Sequence, residues 1–204
     1  MKFAVMGAGA IGCYFGGLLA RAGNEVTLIG RQRHVEAVNT RGLILAIGAE
    51  RVVLPMRATA DPAAVADADV VLVCVKSGDT EAIARQIAPH LRPDATLLSL
   101  QNGVDNADRL GAIVARPVAP VAVYVATQMA GPGHVKHFGR GELVMGRVPR
   151  ETEIVTLFTA AGIPVTVSDN AVGTLWAKLV RNCAYNPLSG VAGVAYGPMV
   201  RVAG

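Results

Sequence analysis

Charge and aromatic rings are both scarce in this chain. Of its 204 residues, 17% are Asp, Glu, Lys or Arg and 4% are Phe, Trp or Tyr, while 52% are hydrophobic. With so few rings, Ala, Val, Leu and Ile must fill the core. So much apolar residue in a chain of this length suggests one full domain plus part or all of a second. The formal net charge is only +4, and Arg31, Gln32 and Arg33 make the one tight basic cluster. That is too short for a nucleic-acid arm and suits a small anionic ligand, so no nucleic-acid partner is expected. Cysteine is scarce as well: Cys13, Cys74 and Cys183 are odd in number, far apart and without CxxC spacing. This argues against a disulfide framework or a zinc site. Each cysteine lies in an apolar stretch and reads as a buried thiol in a reducing, cytoplasmic compartment. His134 and His137 have no third ligand nearby in sequence, so no metal is expected.

One long uncharged run could pass for a membrane span: FAVMGAGAIGCYFGGLLA, residues 3–20. Glycines at 7, 9, 12, 16 and 17 interrupt it. Its period also changes, from strand-like alternation to the helical spacing of Ile11, Tyr14, Phe15, Leu18 and Leu19. A buried strand followed by a helix is expected, and no membrane partner.

The same run carries the first functional motif. KFAVM reads as a strand, GAGAIG as a turn, the segment to Ala22 as a helix and EVTLI (25–29) as a second strand. In that context a GxGxxG predicts a dinucleotide cradle. Gly7 permits the tight turn, Gly9 lets the backbone approach a pyrophosphate, and Gly12 lets the helix lie close to the sheet. The helix then offers unpaired N–H groups and its positive dipole end to the phosphates. NAD sites place an acid about 20 residues after the glycines, to accept from the ribose 2′-OH. Here Ile29, Gly30 and Arg31 stand there instead. A guanidinium suits a 2′-phosphate, so NADP(H) is the expected cofactor.

Further along, residues 41–55 suggest a hairpin around Gly48, and Val70–Val75 a doubly buried strand ending at Lys76. Ligands lie beyond the carboxyl ends of such strands, so Lys76 is expected in the crevice with the glycines. Asp79 is a candidate cap for a helix with Ile83, Ile87 and Leu91 on one face. Strand 95–100 delivers Gln101, Asn102 and Gly103 to the same edge. From about 118, VAVYVA, VKHFG and ELVMG suggest strands joined by glycine turns, ETEIVTLFTAAG a helix and PVTVS a closing strand. Asp169 or Asn170 can cap a long last helix, whose regularity Pro187 limits. On that helix Lys178, Asn182 and Asn186 recur every four residues and share one stripe. Leu175, Trp176, Leu179, Val180 and Cys183 fall mostly on the neighbouring faces. Taken alone, the stripe reads as the solvated face of an amphipathic helix.

These motifs occur together in a known order: GAGAIG, IGR, VKS, QNG, GPGHVKHFGRGELVMG and LWAKLVRNCAYNPLSG. In this the chain resembles the ketopantoate reductases (2-dehydropantoate 2-reductases) over essentially its whole length. The resemblance implies an α/β fold: an N-terminal Rossmann-type doubly wound sheet over residues 1–168, then the start of a mainly helical C-terminal domain over 169–204. That second domain would be truncated relative to the family, which continues and supplies a serine to the substrate and a glutamate near the cofactor. It also implies NADPH-dependent reduction of 2-dehydropantoate to pantoate, on the route to pantothenate and coenzyme A.

Carried over by position, Lys178 matches the family's catalytic lysine, and Asn182 and Asn186 its substrate-binding asparagines. Gly7, Ala8, Gly9, Ala10, Ile11 and Gly12 match the phosphate loop and Arg31 the 2′-phosphate partner. Lys76 and Asn102 match cofactor contacts near the nicotinamide end, with Asn102 also at the substrate, and Ala126 matches a backbone contact to NADP. Tyr196 stands where relatives often carry a further asparagine.

The stripe then acquires a chemical reading. Negative charge develops on the keto oxygen as hydride reaches the carbonyl carbon. An ammonium held there stabilises that charge and donates the proton. Asparagines one turn apart orient the small 2-oxo acid partner. The alternatives are a same-family reductase of another 2-oxo acid and an NADP-binding regulator without catalysis. Relatives occur as monomers or homodimers, and either state is open here.

Overall fold

The structure is a computed structural model that describes residues 1–194 and 196–199. The expected strand, helix and strand at the N-terminus are β1 (Lys2–Met6), α1 (Ala10–Arg21) and β2 (Glu25–Ile29). After them come α2 (Gln32–Arg41), β3 (Leu43–Ile47), β4 (Glu50–Leu54), β5 (Arg57–Thr59), β6 (Val70–Val73), α3 (Thr80–Ile87) and β7 (Thr96–Ser99). The rest comprises α4 (Asn106–Val114), β8 (Ala119–Gly131), β9 (His134–Met145), α5 (Glu151–Ala160), β10 (Val165–Val167), α6 (Ala171–Ala192) and the short α7 (Tyr196–Met199). The side chain of Tyr196 lies outside the described residues.

Strands β5, β2, β1, β6, β7 and β8 lie side by side in that order, and every adjacent pair is parallel. Counted among themselves they follow the doubly wound order 3-2-1-4-5-6, which reverses direction between β1 and β6. Both faces of the central strands β1, β6 and β7 are buried, as their near-continuous apolar runs require. Phe3, Val5, Val70, Leu72 and Leu98 pack with α1 and α5 on one face. Ala4, Met6, Val71, Val73 and Leu97 pack with α3 and α4 on the other. Alternation along each strand thus divides the core in two. Beyond β8 the sheet continues through antiparallel β9, with β3 parallel to β9 and β4 hairpinned onto β3. The hairpin expected around Gly48 forms, with Gly48 at φ 59°, but it extends this far end of the sheet rather than the parallel part.

Several expectations change. VKHFG and ELVMG are not two strands joined by a turn; both belong to β9. The glycines serve a bulge: the β8 register shifts between Tyr124 and Val125 and again between Ala126 and Thr127. Extra residues in one strand are absorbed this way when the partner strand stays continuous. Helix α6 runs through Pro187, which removes one donor, to the bond that would reach Cys183, without ending the helix. Asn170 caps α6, its Oδ1 accepting from Gly173 N–H at 2.9 Å, while Asp169 pairs with Arg147. Asp79 precedes α3 but makes no capping side-chain bond. Cys13 is buried, but Cys183 is exposed, because it faces away from the one side of α6 that meets the sheet. Trp176 and Val180 are exposed too, whereas Leu175 is buried.

Candidate functional site

The glycine turn lies at the switch point between β1 and β6. Gly7 has φ 114°, and a Cβ there would sit 2.8 Å from the carbonyl carbon of Cys74, just past β6. A Cβ on Gly12 would drive into the carbonyl oxygen of Gly7 and reach Val5 at 2.8 Å. Gly30, at the end of β2, is pressed against Ala8, where a Cβ would come within 2.6 Å of another. Gly9 is different: nothing lies within 4 Å of the place a Cβ would take. The turn is therefore tightly packed at Gly7 and Gly12 and open at Gly9, where a phosphate would approach. Helix α1 begins at Ala10 with no side-chain cap and no acid in its first turn, so its first N–H groups and dipole remain available to an anion. Open backbone, free donors and absent acids fit the phosphates of a dinucleotide. Arg31, exposed, stands at the head of α2 just beyond β2, the edge where a ribose phosphate would lie.

Beside this turn opens a cleft of about 680 Å³. Ile11 at the start of α1, Lys76 after β6, Asn102 after β7 and Ala126 on β8 line it, and from α6 so do Lys178, Asn182 and Asn186. Seven residues predicted from sequence thus converge on one cavity, whereas Gly7, Ala8, Gly9, Ala10 and Gly12 lie beside it and Arg31 lies further off.

Lys178 bridges the two sides of the cleft. Its Nζ donates to Asn102 Oδ1 at 2.6 Å and to the Val123 carbonyl oxygen at 2.6 Å. An ammonium has three donors, so one remains for a ligand. Burial, reinforced by Arg181 and Arg140, lowers the amine from its ordinary value of 10.5 to about 8. Such a group holds its proton at neutral pH and releases it readily, as a general acid should.

A buried polar network fixes Asn102 from behind. Ser77 Oγ donates to the Asn102 carbonyl at 2.8 Å, and Asn106 Nδ2 donates to the same oxygen at 2.8 Å. Thr80 Oγ1 donates to Asn106 Oδ1 and accepts from Gln101 Nε2. Arg109 reaches the Ser77 carbonyl and clasps Glu81 through two bonds of 2.7 and 2.8 Å. That guanidinium holds the Glu81 carboxyl below the usual range. Gln101 is legible in the sequence as a polar strand end, whereas Thr80, Asn106 and Arg109 belong to no motif. Their polarity on otherwise apolar helix faces was the available signal.

Three further residues escaped notice. The Tyr124 ring has the Arg140 guanidinium 4.7 Å from its centroid, Arg181 at 5.5 Å and Lys178 Nζ at 5.7 Å. Tyr124 and Arg140 line the cleft. The described lining residues include no Asp or Glu, so the cavity is cationic and suits an anion.

Comparison with known proteins agrees with this architecture. The family profile described as ketopantoate reductase PanE/ApbA matches residues 3–150. A 2-dehydropantoate 2-reductase from Pyrococcus horikoshii is 36% identical over 202 residues, covering 97% of this chain and 66% of its own. The crystal structure of a PanE/ApbA family ketopantoate reductase from Ralstonia eutropha JMP134 is 53% identical, with a TM-score of 0.93, covering 98% of this chain and 67% of that one. A D-mandelate dehydrogenase, in a ternary structure with NADH and anilino(oxo)acetate, is 26% identical with a TM-score of 0.84, over 93% of this chain and 64% of that one. The chain spans about two thirds of the length of the curated relatives it matches.

Proposed function

Because this chain belongs to the ketopantoate reductase (PanE/ApbA) family, we propose that it acts in the NADPH-dependent reduction of 2-dehydropantoate to pantoate, a step toward pantothenate and coenzyme A. The observation that carries the reading is the Lys178 amine. It projects from α6 into the cleft beside the glycine turn, bonded to Asn102 and Val123, rather than into bulk water. When bound, the reduced nicotinamide supplies the hydride. Lys178 holds the keto oxygen with its remaining N–H, stabilises the charge that develops there and delivers the proton that makes the hydroxyl. Asn182 and Asn186, one and two turns further along α6, fix the orientation of the keto acid. Gly7 to Gly12 receive the pyrophosphate, Lys76 and Asn102 border the nicotinamide end, and Ala126 offers the cofactor its backbone. Arg31 supports NADP(H) over NAD(H). The division near residue 168, with α6 opening a helical domain, and a cytoplasmic setting belong to the same reading. No described helix is long and apolar enough to cross a membrane.

A second reading, reduction of a different 2-oxo acid, is favoured by the structural likeness to D-mandelate dehydrogenase with its bound oxo acid. Oxidation of NADPH and of NADH by the purified protein, measured with ketopantoate and a panel of 2-oxo acids, separates the readings. Ketopantoate with NADPH should give the highest kcat/KM. The Lys178→Ala protein should still bind NADPH and lose turnover by about a hundredfold or more. Near-normal turnover in that variant would overturn the role given to Lys178.

A further inference from the structure

Arg140 has a backbone conformation that L-residues rarely adopt. Its φ is 61°, between Gly139 at 151° and Gly141 at 157°, inside the β9 bulge. A non-glycine residue there costs roughly 1 kcal/mol or more and persists only where its surroundings hold it. Here they do. The imidazole of His137, stacked on Tyr14 with ring centroids 4.6 Å apart, hydrogen-bonds the Arg140 carbonyl. The Tyr14 hydroxyl would lie 3.1 Å from a Cβ on Gly141, so α1 presses directly against the bulge. Glu142 Oε2 accepts from Gly141 N–H at 3.0 Å and from Arg140 Nε at 3.2 Å.

This apparatus aims one side chain. The guanidinium lies over Tyr124, on the ring that also has Lys178 Nζ near it, and it forms part of the cleft wall. Nε is engaged by Glu142, and among the described residues no hydrogen bond uses the terminal nitrogens. Two terminal nitrogens with four unpartnered N–H donors, at the edge of a cavity without carboxylates, call for an anion. Lys178 cannot supply the whole need, since two of its three donors are committed to Asn102 and Val123. A 2-oxo acid presents both a keto oxygen and an ionised carboxylate. Asn182 and Asn186 are neutral, Lys76 lines the cleft from the end of β6 on the side given above to the cofactor, and Arg181 bonds the Tyr124 hydroxyl and does not line the cleft.

We propose that Arg140 is the specificity-determining residue that holds the substrate carboxylate through its terminal nitrogens while Lys178 faces the keto oxygen. The proposal rests on the reductase reading above and adds that the cleft selects acids over uncharged ketones. In the Arg140→Gln protein, KM for ketopantoate should rise about tenfold or more, as loss of a charge-assisted pair implies. Its kcat should change far less, KM for the methyl ester should stay unchanged, and Arg140→Lys should recover part of the loss. Equal changes for acid and ester, or a weakened NADPH affinity in their place, would overturn it. A measurement without turnover keeps the two readings apart: calorimetric binding of oxamate, an unreactive 2-oxo acid analogue, to NADPH-saturated protein. Oxamate binding that weakens about tenfold in Arg140→Gln, with melting temperature and NADPH affinity retained, supports the carboxylate site even if no 2-oxo acid is reduced. Failure of the parent protein to bind oxamate, or equal binding by both proteins, refutes it.

Discussion

Replacing Arg181 by Gln should raise the pH at which Lys178 loses its proton. Arg181 and Lys178 both lie within 5.7 Å of the Tyr124 ring centroid, so their charges are no more than roughly 11 Å apart. Even at an effective dielectric near that of water, removing one charge at that range relieves the ammonium by at least a few tenths of a pH unit, and by more where the cleft excludes solvent. The parent protein should hold a plateau of kcat below the Lys178 value of about 8 and fall about tenfold per pH unit above it, because the neutral amine cannot donate. In Arg181→Gln the plateau should keep its height and the alkaline limb should move upward. Added salt should shrink the difference, since Arg181 is exposed. A readout independent of turnover is the pH dependence of Lys178 acetylation by acetic anhydride, read by mass spectrometry. A limb that stays in place or moves downward at low ionic strength would refute the electrostatic account of Lys178.

The same lowered value has a consequence for stability. The folded-state pKa of Lys178 lies below the unfolded one, so the fold penalises the protonated amine at pH below about 8, and the penalty fades between there and 10.5. Lys178→Met should therefore melt higher than the parent near neutral pH, by up to about 2 kcal/mol after discounting partial exposure and the two lost hydrogen bonds, with the gain vanishing at alkaline pH. In the glycine turn, Gly9→Ala should melt within a degree or so of the parent yet lose most of its NADPH affinity, whereas Gly12→Ala should fail to fold or melt much lower, because its Cβ meets backbone. Asn106→Ala should cost about 1–3 kcal/mol in chemical denaturation by leaving the Thr80 hydroxyl without its acceptor and the Asn102 carbonyl with Ser77 alone, and should weaken oxamate binding as Asn102 loses one of its two braces. In thiol titration of the folded protein Cys183 should react first. Cys13, buried and with its thiol pushed up to about 12, should react only on unfolding.

Local pattern was enough to reveal the glycine turn and the elements that flank it. GAGAIG between a strand and a helix, and Arg31 where an acid would otherwise stand, are short-range signals. Their geometry is set by residues close in sequence, so the turn, α1 and the alternating strands could be read directly. The stripe of Lys178, Asn182 and Asn186 was equally local, because one helix period aligns it. What faced that stripe was not legible. The contacts of Lys178 with Asn102 and Val123 join residues 76 and 55 positions apart, through a strand order that only the folded sheet sets. Arg140 looked like the middle of a glycine turn because the letters GRG suit a turn and a bulge equally well. Pairing with the long strand β8 decided for the bulge, and the bulge turned Arg140 toward the cleft. Residue types and periods determined which groups could do chemistry. The doubly wound order of the strands, which no local pattern encodes, decided that they meet.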